Sequence, residues 1–356
     1  MKAVILAGGE GTRLRPLTLN LPKPMVPVVN KPFLEHMLSN LQLHGVDHTV
    51  LTVGYLPDKI RSHFGDRGYF GMHLSYVVEG NPLGTAGAVK NIEDELDGTF
   101  LVLNGDIFTD LDISDMLKFH QDRNSKVTLF LTQVKDPSSF GVVEVGPDGR
   151  VGRFLEKPSP GETTSNWING GVYIIEPEVL RLAPKGKFYM FERGLFPRLL
   201  DQGVEVYGYQ ANPYWLDLGT PINYLRVHRD LLGSGRYSYL TNPNYESNGG
   251  PRIHPSANIT GPVVFGDGCY VGEEATIVGP SVLGSGCRIG DRSIISGSIL
   301  WDKVSIGKGS KLQNCIVANR VTIEDSCYIG DLCMLGDDVV VKTMSRLASG
   351  DSLWPS

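Results

Sequence analysis

Short apolar runs alternate with amphipathic segments along the first 232 residues of the chain. The runs with the pattern of buried strands are residues 3–6, 48–54, 73–78, 99–103 and 126–134. The segments with apolar side chains at i, i+3 and i+4, which predict helices, are residues 32–44, 57–64, 85–96 and 114–123. This alternation predicts an α/β fold with a mostly parallel, Rossmann-like sheet covered by helices, in which ligands bind at the carboxyl ends of the strands. Residues 140–145 and 151–155 predict an attached hairpin.

A different pattern begins at residue 252, after a segment rich in Gly, Ser, Asn and Tyr that we interpret as a linker over residues 233–251. Aliphatic or aromatic residues recur every six positions, at Ile253, Ile259, Phe265, Val271, Ile277, Leu283, Ile289, Ile295 and Trp301. The phase slips by one at Ile306 and again at Val317, and then continues to Val341. A period of six with two inward positions predicts a parallel β-helix, and the run resembles the left-handed β-helix of the hexapeptide-repeat family. We therefore predict a first domain over residues 1–232 and a β-helix of about five coils over residues 252–356.

The five cysteines all lie in this repeat, and four of them share one position of it: Cys269, Cys287, Cys327 and Cys333. The chain has no CxxC pair and no histidine after His254. We therefore expect small side chains that fill the core rather than zinc ligands or disulfides.

Charge and hydropathy exclude several classes of partner. The chain has 33 Lys and Arg against 39 Asp and Glu, a net charge of −6, so we expect neither nucleic acid nor an anionic membrane surface as a partner. No stretch approaches the roughly 20 apolar residues that a spanning helix needs. The apolar run at residues 3–7 is too short for a signal peptide and continues into a glycine loop, so we expect a cytoplasmic protein.

The candidate chemistry begins directly after the first predicted strand, at Gly8-Gly9-Glu10-Gly11-Thr12-Arg13. Glycines let the backbone approach a phosphate closely, and Arg13 adds a cationic fork suited to phosphate oxygens, although a GGxG segment alone could be a tight turn. The segment is neither a Walker A loop nor a GxGxxG motif. Lys23 follows, clamped between Pro22 and Pro24. Together, GGxGTRLRPLT and PKPM closely resemble the nucleotidylyltransferases that make nucleotide-sugars from a sugar 1-phosphate and a nucleoside triphosphate.

The resemblance covers residues 1 to about 232 and implies a role for each matching residue. It implies Arg13 and Lys23 on the triphosphate, and Mg²⁺ held by Asp106 and Asp217, for which hard carboxylate oxygens are suited. The other implied nucleotide contacts are Leu6, Ala7, Gly8, Gly9, Gly11, Thr12, Glu79, Pro82, Gly84 and Asp106. The implied sugar-phosphate contacts are Gly141, Glu156, Lys157, Asn169 and Gly170. Taken alone, Asp106 could form a turn, Asp217 could cap a helix, and Glu156 and Lys157 could be a solvated pair.

The choice of nucleobase depends on Glu79. Guanine shows two adjacent N–H donors on its pairing edge, which one carboxylate accepts together, whereas uracil and thymine suit a Gln amide. We therefore expect GTP and mannose 1-phosphate as substrates, as in the short mannose-1-phosphate guanylyltransferases that the layout resembles. UTP or dTTP with glucose 1-phosphate is the alternative, because Glu79 could instead face solvent.

Two further classes stay open. A sugar-nucleotide sensor would keep the fold without turnover, although Lys23, Asp106, Lys157 and Asp217 are all present. An acyltransferase would need a histidine base on the β-helix, where His254 in the first coil is the one candidate. The β-helix itself is expected to mediate homo-oligomerisation or to hold the catalytic domain in place.

Overall fold

A computed structural model describes residues 1–65, 68–69, 71–234 and 249–355 of the chain. Most of the predicted linker at 233–251 lies outside the described residues. The contacts divide the chain into two compact units. Unit 1 comprises Met1–Glu10 and Leu34–Leu216, and unit 2 comprises Gly11–Phe33 and Asp217–Ser356. These units cut the chain elsewhere than the predicted domain boundary at residue 232, which stays a prediction.

The strands before the repeat are, in chain order, β1 Lys2–Ala7, β2 Pro27–Val28, β3 Lys31–Pro32, β4 His48–Val53, β5 His73–Val78, β6 Phe100–Asn104, β7 Ile107–Thr109, β8 Val127–Gln133, β9 Gly141–Val145, β10 Val151–Glu156, β11 Trp167–Ile175, β12 Val206–Gln210 and β13 Trp215–Asp217. The helices are α1 Phe33–Leu43, α2 Pro57–Phe64, α3 Gly84–Asn91, α4 Ile113–Asp122, α5 Phe196–Asp201 and α6 Pro221–Ser234. Short 3₁₀ or π turns span Thr12–Leu14, Lys23–Met25, Glu93–Glu95, Pro177–Leu182 and Phe191–Leu195.

Unit 1 is built on a nine-stranded sheet whose main path runs β10-β9-β11-β6-β1-β4-β5, with β8 pairing β11 and β12 pairing β8. Strands β6, β1, β4 and β5 are parallel, and most apolar side chains of β1, β4 and β6 are buried, as the strand pattern predicts, whereas β5 is partly exposed. The predicted α/β class and the hairpin β9–β10 are confirmed. Strand β11 is antiparallel to β6, β8 and β9, a feature the sequence did not indicate.

The repeat in unit 2 forms three parallel sheets of six short strands each, so the predicted left-handed β-helix is confirmed and has one more level than the five coils expected. The first sheet contains β14 Arg252–Ile253, β17 Tyr270–Val271, β20 Arg288–Ile289, β23 Ser305–Ile306, β26 Thr322–Ile323 and β29 Val340–Val341. The second contains β15 Asn258–Thr260, β18 Thr276–Val278, β21 Ile294–Ser296, β24 Lys311–Gln313, β27 Tyr328–Ile329 and β30 Arg346–Leu347. The third contains β16 Val263–Phe265, β19 Ser281–Leu283, β22 Ile299–Leu300, β25 Ile316–Val317, β28 Met334–Leu335 and β31 Ser352–Leu353.

The register corrects the place of Trp301. Leu300, not Trp301, stacks on Leu283 and Val317 and belongs to the β-helix core. The first phase slip therefore falls between Ile295 and Leu300, one step earlier than predicted, because a five-residue step leads into the third sheet there. Trp301 is thereby displaced from the repeat's inward position, although it is only 3% exposed.

The cysteines fill the core as expected. All five are buried and unpaired, including Cys315, which the predicted phase had left out of the shared position. Counted back from the next inward residue, each cysteine stands two residues before an aliphatic core residue, as Cys315 does before Val317. Burial raises the pKa of the Cys315 thiol to about 12, which suits an inert core side chain.

Candidate active site

A cavity of about 480 Å³ opens in unit 1 where parallel strands β1, β4 and β5 end. Its volume is in the range of small-molecule sites, and its place at the carboxyl edge of the sheet agrees with the sequence expectation. Six of the residues predicted to contact nucleotide line it: Leu6, Gly8, Gly9, Glu79, Pro82 and Gly84. Ala7 is instead buried within β1. The cavity therefore gathers most of the predicted nucleotide contacts of unit 1.

Glu79 stands directly after β5 and is half-buried at the cavity wall. One carboxylate oxygen, Oε2, accepts a hydrogen bond of 3.1 Å from the Leu83 backbone N–H, which fixes the orientation of the side chain. A carboxylate offers about four acceptor positions, so both oxygens keep capacity for a ligand. The other oxygen, Oε1, lies 3.7 Å from where a Cβ on Gly8 would stand, so Glu79 faces the glycine loop across the cavity.

The predicted sugar-phosphate residues of unit 1 gather around the end of β10. Glu156 ends this strand, and its Oε2 would lie 2.9 Å from a Cβ on Gly141, so glycine at 141 leaves room for the carboxylate. Lys157 follows with φ of +53° and an exposed side chain. Its backbone N–H donates to the Phe140 carbonyl at 3.0 Å. The left-handed backbone at Lys157 turns the chain away from β10 at the residue that carries the predicted sugar-phosphate cation.

Asn169 and Gly170 lie at an irregularity in β11, and both make structural contacts within the protein. Asn169 donates to the Tyr173 hydroxyl at 2.8 Å, and its Oδ1 accepts from the Gly171 N–H at 3.1 Å. A Cβ on Gly170 would collide with the Phe130 ring, so packing accounts for this glycine. The Gly170 carbonyl accepts from the Trp215 indole at 2.9 Å. The sugar contacts of these two residues stay predictions.

A buried hydrogen-bond network connects Asn169 to the cavity. Its acceptor is Glu192, which takes bonds from the Tyr173 hydroxyl at 3.4 Å and from the Thr85 hydroxyl at 3.0 Å. Thr85 lines the cavity and also accepts from the Phe191 N–H at 2.9 Å. Burial raises the pKa of Glu192, and burial likewise raises the pKa of Tyr173, which therefore stays a donor. The sequence had not assigned Glu192 a role.

Asp106 follows β6 in a turn that lies against the end of β1. The Gly105 N–H donates to the Leu6 carbonyl at 3.0 Å, and a Cβ on Gly105 would lie 2.5 Å from that oxygen, so only glycine allows this approach. Asp106 is half-buried at the carboxyl edge, as its position after the strand predicts. Beside it, Asn104 Oδ1 is buried without a hydrogen-bond partner among the described residues. An acceptor at this point is suited to a hydroxyl donor.

In unit 2 the predicted triphosphate cations converge on Asp217. Arg13 Nη2 lies 3.8 Å from Asp217 Oδ2, and Lys23 Nζ lies 3.8 Å from Asp217 Oδ1. The Lys23 side chain is 10% exposed and that of Arg13 is 62% exposed. A side chain on Gly219 would collide with the Arg13 guanidinium and the Asp217 carboxylate. The two motifs, far apart in sequence, thus build one charged cluster.

Gly11 joins the two halves of that cluster. It adopts φ of +63°, and a Cβ there would lie 3.0 Å from Lys23 Cβ and 3.2 Å from Thr18 Cγ2. The Thr18 hydroxyl donates to the Gly11 carbonyl at 2.9 Å. Thr12 is exposed at the start of the turn that carries Arg13. Glycine at 11 is therefore required by both backbone conformation and the close approach of Lys23.

The two predicted metal ligands are Asp106 in unit 1 and Asp217 in unit 2. The described residues contain no group of three or more His, Cys, Asp or Glu side chains that could hold a metal by themselves. Mg²⁺ is commonly bound through one or two carboxylates, with phosphates and water completing its shell. Asp106 and Asp217 each offer one partly exposed carboxylate of this kind.

No helix in the described part of the chain has the length and apolar character to cross a membrane.

Some cavity residues were not singled out from the sequence: Thr52, Gly54, Tyr55, Ala88 and Phe188. Ala88 comes soon after the segment Pro82-Leu83-Gly84, and Tyr55 follows the strand β4, so their positions after predicted strand ends could have indicated them. Phe188 has no such signal, because it belongs to a loop far along the chain.

Comparisons with family models and known proteins find similar sequences for both parts of the chain. The family model described as "Nucleotidyl transferase" matches residues 2–234, and the "EIF2B subunit epsilon LbH domain" model matches residues 243–347. A mannose-1-phosphate guanylyltransferase of Mycobacterium tuberculosis is 39% identical over 76% of this chain and 76% of its own length. A UTP–glucose-1-phosphate uridylyltransferase of Synechocystis is 35% identical over 91% of this chain and 89% of its own. The catalytic subunit beta of a Danio rerio mannose-1-phosphate guanylyltransferase is 35% identical over 96% and 92%.

Among solved structures, HddC from Yersinia pseudotuberculosis complexed with GMP-PN is similar to the chain. The superposition has a TM-score of 0.55 and 30% sequence identity, and it covers 64% of this chain and 97% of HddC.

Proposed function

Because the chain belongs to the nucleotidyl transferase family, we propose that it transfers GMP from GTP to mannose 1-phosphate. A phosphate oxygen of the sugar phosphate attacks the α-phosphorus of GTP, and the bond to the β-phosphate breaks, releasing pyrophosphate and GDP-mannose. No protein nucleophile is needed, so the task of the protein is to position the two phosphates and neutralise their charge.

Glu79 carries the choice of guanine. Its carboxylate is held at the cavity wall by the Leu83 N–H, and it faces Gly8 across the space where strands β1 and β5 end. One carboxylate accepts both N–H donors on the pairing edge of guanine. The relatives named as mannose-1-phosphate guanylyltransferases and the HddC complex with GMP-PN support the same choice.

The remaining residues act on the phosphates and the sugar. Arg13 and Lys23 bind triphosphate oxygens, Lys157 binds the attacking phosphate, and Glu156 accepts hydrogen bonds from sugar hydroxyls. The family uses a divalent metal ion, and we propose Mg²⁺ with Asp106 and Asp217 as its protein ligands. When bound, the ion supplies positive charge that stabilises the developing charge on the phosphates.

A second candidate is UTP with glucose 1-phosphate, because the Synechocystis relative, 35% identical over 91% of this chain, is named as a UTP–glucose-1-phosphate uridylyltransferase. Both candidates use the same fold, phosphate cations and carboxylates. They differ at the base and at the orientation of one sugar hydroxyl.

Pyrophosphate release separates the candidates. The purified protein with Mg²⁺ is given GTP, UTP, dTTP, ATP or CTP, each with mannose 1-phosphate or glucose 1-phosphate. We expect turnover with GTP and mannose 1-phosphate. Turnover confined to UTP or dTTP with glucose 1-phosphate would establish the second candidate. Nucleotide binding without pyrophosphate release from any pair would establish a sensor instead.

The variant Glu79→Gln tests the base assignment directly. An amide offers one acceptor and one donor to the two N–H groups of guanine, so we expect kcat/KM for GTP to fall about 10- to 100-fold, as for loss of a bidentate base contact. The matched control is Glu205→Gln, an exposed glutamate that does not line the cavity. Equal kcat/KM for GTP in both variants contradicts the assignment.

The sequence also leads us to propose a cytoplasmic homo-oligomer. Light scattering of the purified protein measures the mass of the particle, and the mass of a monomer would contradict the homo-oligomer.

A further inference from the structure

The third sheet of the β-helix differs from the other two in its outward side chains. The outward residues Val282, Ile299, Ile316 and Met334 are apolar and at most 8% exposed. On the first and second sheets, the outward Tyr270, Ile294, Tyr328 and Val340 are 37% to 50% exposed. Within unit 2, α6 contacts β19, and Pro16 lies against Gly336 beside β28. The residues that carry the phosphate cations therefore cover this face.

Trp301 makes the polar contact across this packed face. The five-residue step before Leu300 moves Trp301 out of the repeat's inward position, so its side chain is not part of the β-helix core. Its indole Nε1–H donates to the Tyr224 hydroxyl of α6 at 3.0 Å, and the bond is buried. A buried indole requires such an acceptor, because the unpaired N–H would be costly.

Tyr224 also bonds the segment that follows Lys23. Its hydroxyl donates to the Pro27 carbonyl in β2. Burial raises the pKa of Tyr224 far above its ordinary value, so this donor keeps its proton at all working pH values. The Val26 N–H in turn donates to the Lys23 carbonyl at 3.1 Å. Three consecutive contacts therefore connect Trp301 to the backbone of Lys23.

A second tether holds the same segment. Strands β2 and β3 form a hairpin whose two connecting residues, Val29 and Asn30, have φ of +50° and +61°. The Asn30 side-chain amide donates to the Leu283 carbonyl of β19 at 2.9 Å. The hairpin is thus fixed to the β-helix at its tip and, through Tyr224, at its base.

We propose that Trp301 is a positioning residue for nucleotidyl transfer. Through Tyr224 it fixes the Lys23 segment on the third sheet of the β-helix, so that the lysine stands beside Asp217 before substrate arrives. The β-helix is then a working part of the phosphate site and not only an oligomerisation module. This inference rests on the proposed role of Lys23 on the triphosphate.

The test compares Trp301→Phe with Ile289→Val in the full chain. Phenylalanine keeps an aromatic ring but removes the donor, and we expect kcat/KM for the nucleotide to fall about three- to tenfold, as for loss of one hydrogen bond. Ile289 is an inward residue of the first sheet. We expect Ile289→Val to lower the free energy of unfolding by about as much as the loss of one hydrogen bond in Trp301→Phe. We expect the control to lower the unfolding midpoint without changing kcat/KM.

Tyr224→Phe and the double variant make the result specific. Tyr224→Phe removes the hydroxyl that bonds both Trp301 and Pro27, so adding Trp301→Phe to it should lower kcat/KM no further. If the two substitutions instead lower kcat/KM independently, so that their effects multiply in the double variant, the connection through Tyr224 is overturned. The same holds if Ile289→Val lowers kcat/KM as much as Trp301→Phe does.

Lys23→Met, measured in the same series, separates this inference from the proposed function. Unchanged kcat/KM in Lys23→Met shows that the lysine is not on the triphosphate. A large loss in Lys23→Met together with wild-type kcat/KM in Trp301→Phe leaves the phosphate role intact and overturns the positioning role alone.

Discussion

At the mouth of the unit 1 cavity, Phe188 exposes 64% of its surface although it is a large apolar side chain. The loop that carries it is fixed beside Leu83 and α3, because the Tyr189 N–H donates to the Leu83 carbonyl at 2.8 Å and the Tyr189 carbonyl accepts from the Gly87 N–H at 2.9 Å. If the cavity binds the nucleotide as proposed, an exposed aromatic ring held there can stack on the base.

Phe188→Ala is therefore expected to raise KM for the nucleotide about tenfold, with a smaller change in kcat, because stacking on a base contributes about 1–3 kcal/mol. Phe188→Trp should restore the KM. Leu43→Ala removes another exposed apolar side chain of unit 1, one that does not line the cavity, and serves as the control. Steady-state kinetics measure all three, and a KM in Phe188→Ala equal to that of the control refutes stacking.

Among single residues, the glycine loop, Lys23, Asp106 and Asp217 were singled out because each stands in a short motif that resembles the family, and their roles stay predictions. Phe188 and Glu192 could not be singled out, since each acquires its surroundings only when its loop returns to α3. The reason for Gly170 also needed the structure: the Phe130 ring occupies the space that a side chain would take.

At the level of elements, buried His120 connects α4, β8 and the end of β11. Its Nδ1 lies 2.8 Å from the Thr128 hydroxyl, and its Nε2 lies 3.1 Å from Glu176 Oε1, which also accepts from Thr99 at 2.6 Å. Burial lowers the pKa of His120, and the Glu176 bond opposes this to a smaller extent, while Lys126 adds a small lowering.

This lowering predicts a pH dependence of stability. The unfolded chain binds the His120 proton more readily than the folded chain, so the stabilisation is complete above the ordinary pKa of about 6.5 and is lost as the pH falls below it. Urea unfolding at pH 8 and pH 5.5 should show a larger loss of unfolding free energy for the wild type than for His120→Gln, by at most about 1.4 kcal/mol, because pH 5.5 lies one unit below the ordinary pKa. Equal losses in the two proteins contradict the prediction.

The elements that periodicity predicted best are those with neighbours close in sequence. Strands β1, β4, β5 and β6 and their helices have their expected places. The central strand β11 was missed because Asn169-Gly170-Gly171 interrupts its apolar pattern and shifts its register on β8. In the β-helix, a six-residue count could not distinguish Leu300 from Trp301, since both are large and apolar. Only the stacking of coils shows which one enters the core.

At the scale of the whole molecule, the proposed reaction uses charged residues that are far apart in the sequence. Because Asp106 and Asp217 are the only protein ligands proposed for Mg²⁺, we expect chelation to remove the ion. EDTA should abolish pyrophosphate release and Mg²⁺ should restore it, and Asp217→Asn should raise the Mg²⁺ concentration needed for half-maximal rate. Far-ultraviolet circular dichroism, unchanged by EDTA, would show that the fold persists. Full turnover in EDTA contradicts a metal role.

Unit 2 is discontinuous, since residues 11–33 belong with the β-helix although almost two hundred residues of unit 1 separate them. Trp301 is synthesised roughly 270 residues after Pro27. At typical rates of translation this interval lasts roughly 15 to 55 seconds. During that time residues 11–33, which include Lys23, have left the ribosome before the third sheet of the β-helix exists, so their apolar side chains stay exposed. If Trp301 positions Lys23 as proposed, a nascent chain that stalls before Trp301 holds every motif of the first domain and still lacks a finished phosphate site.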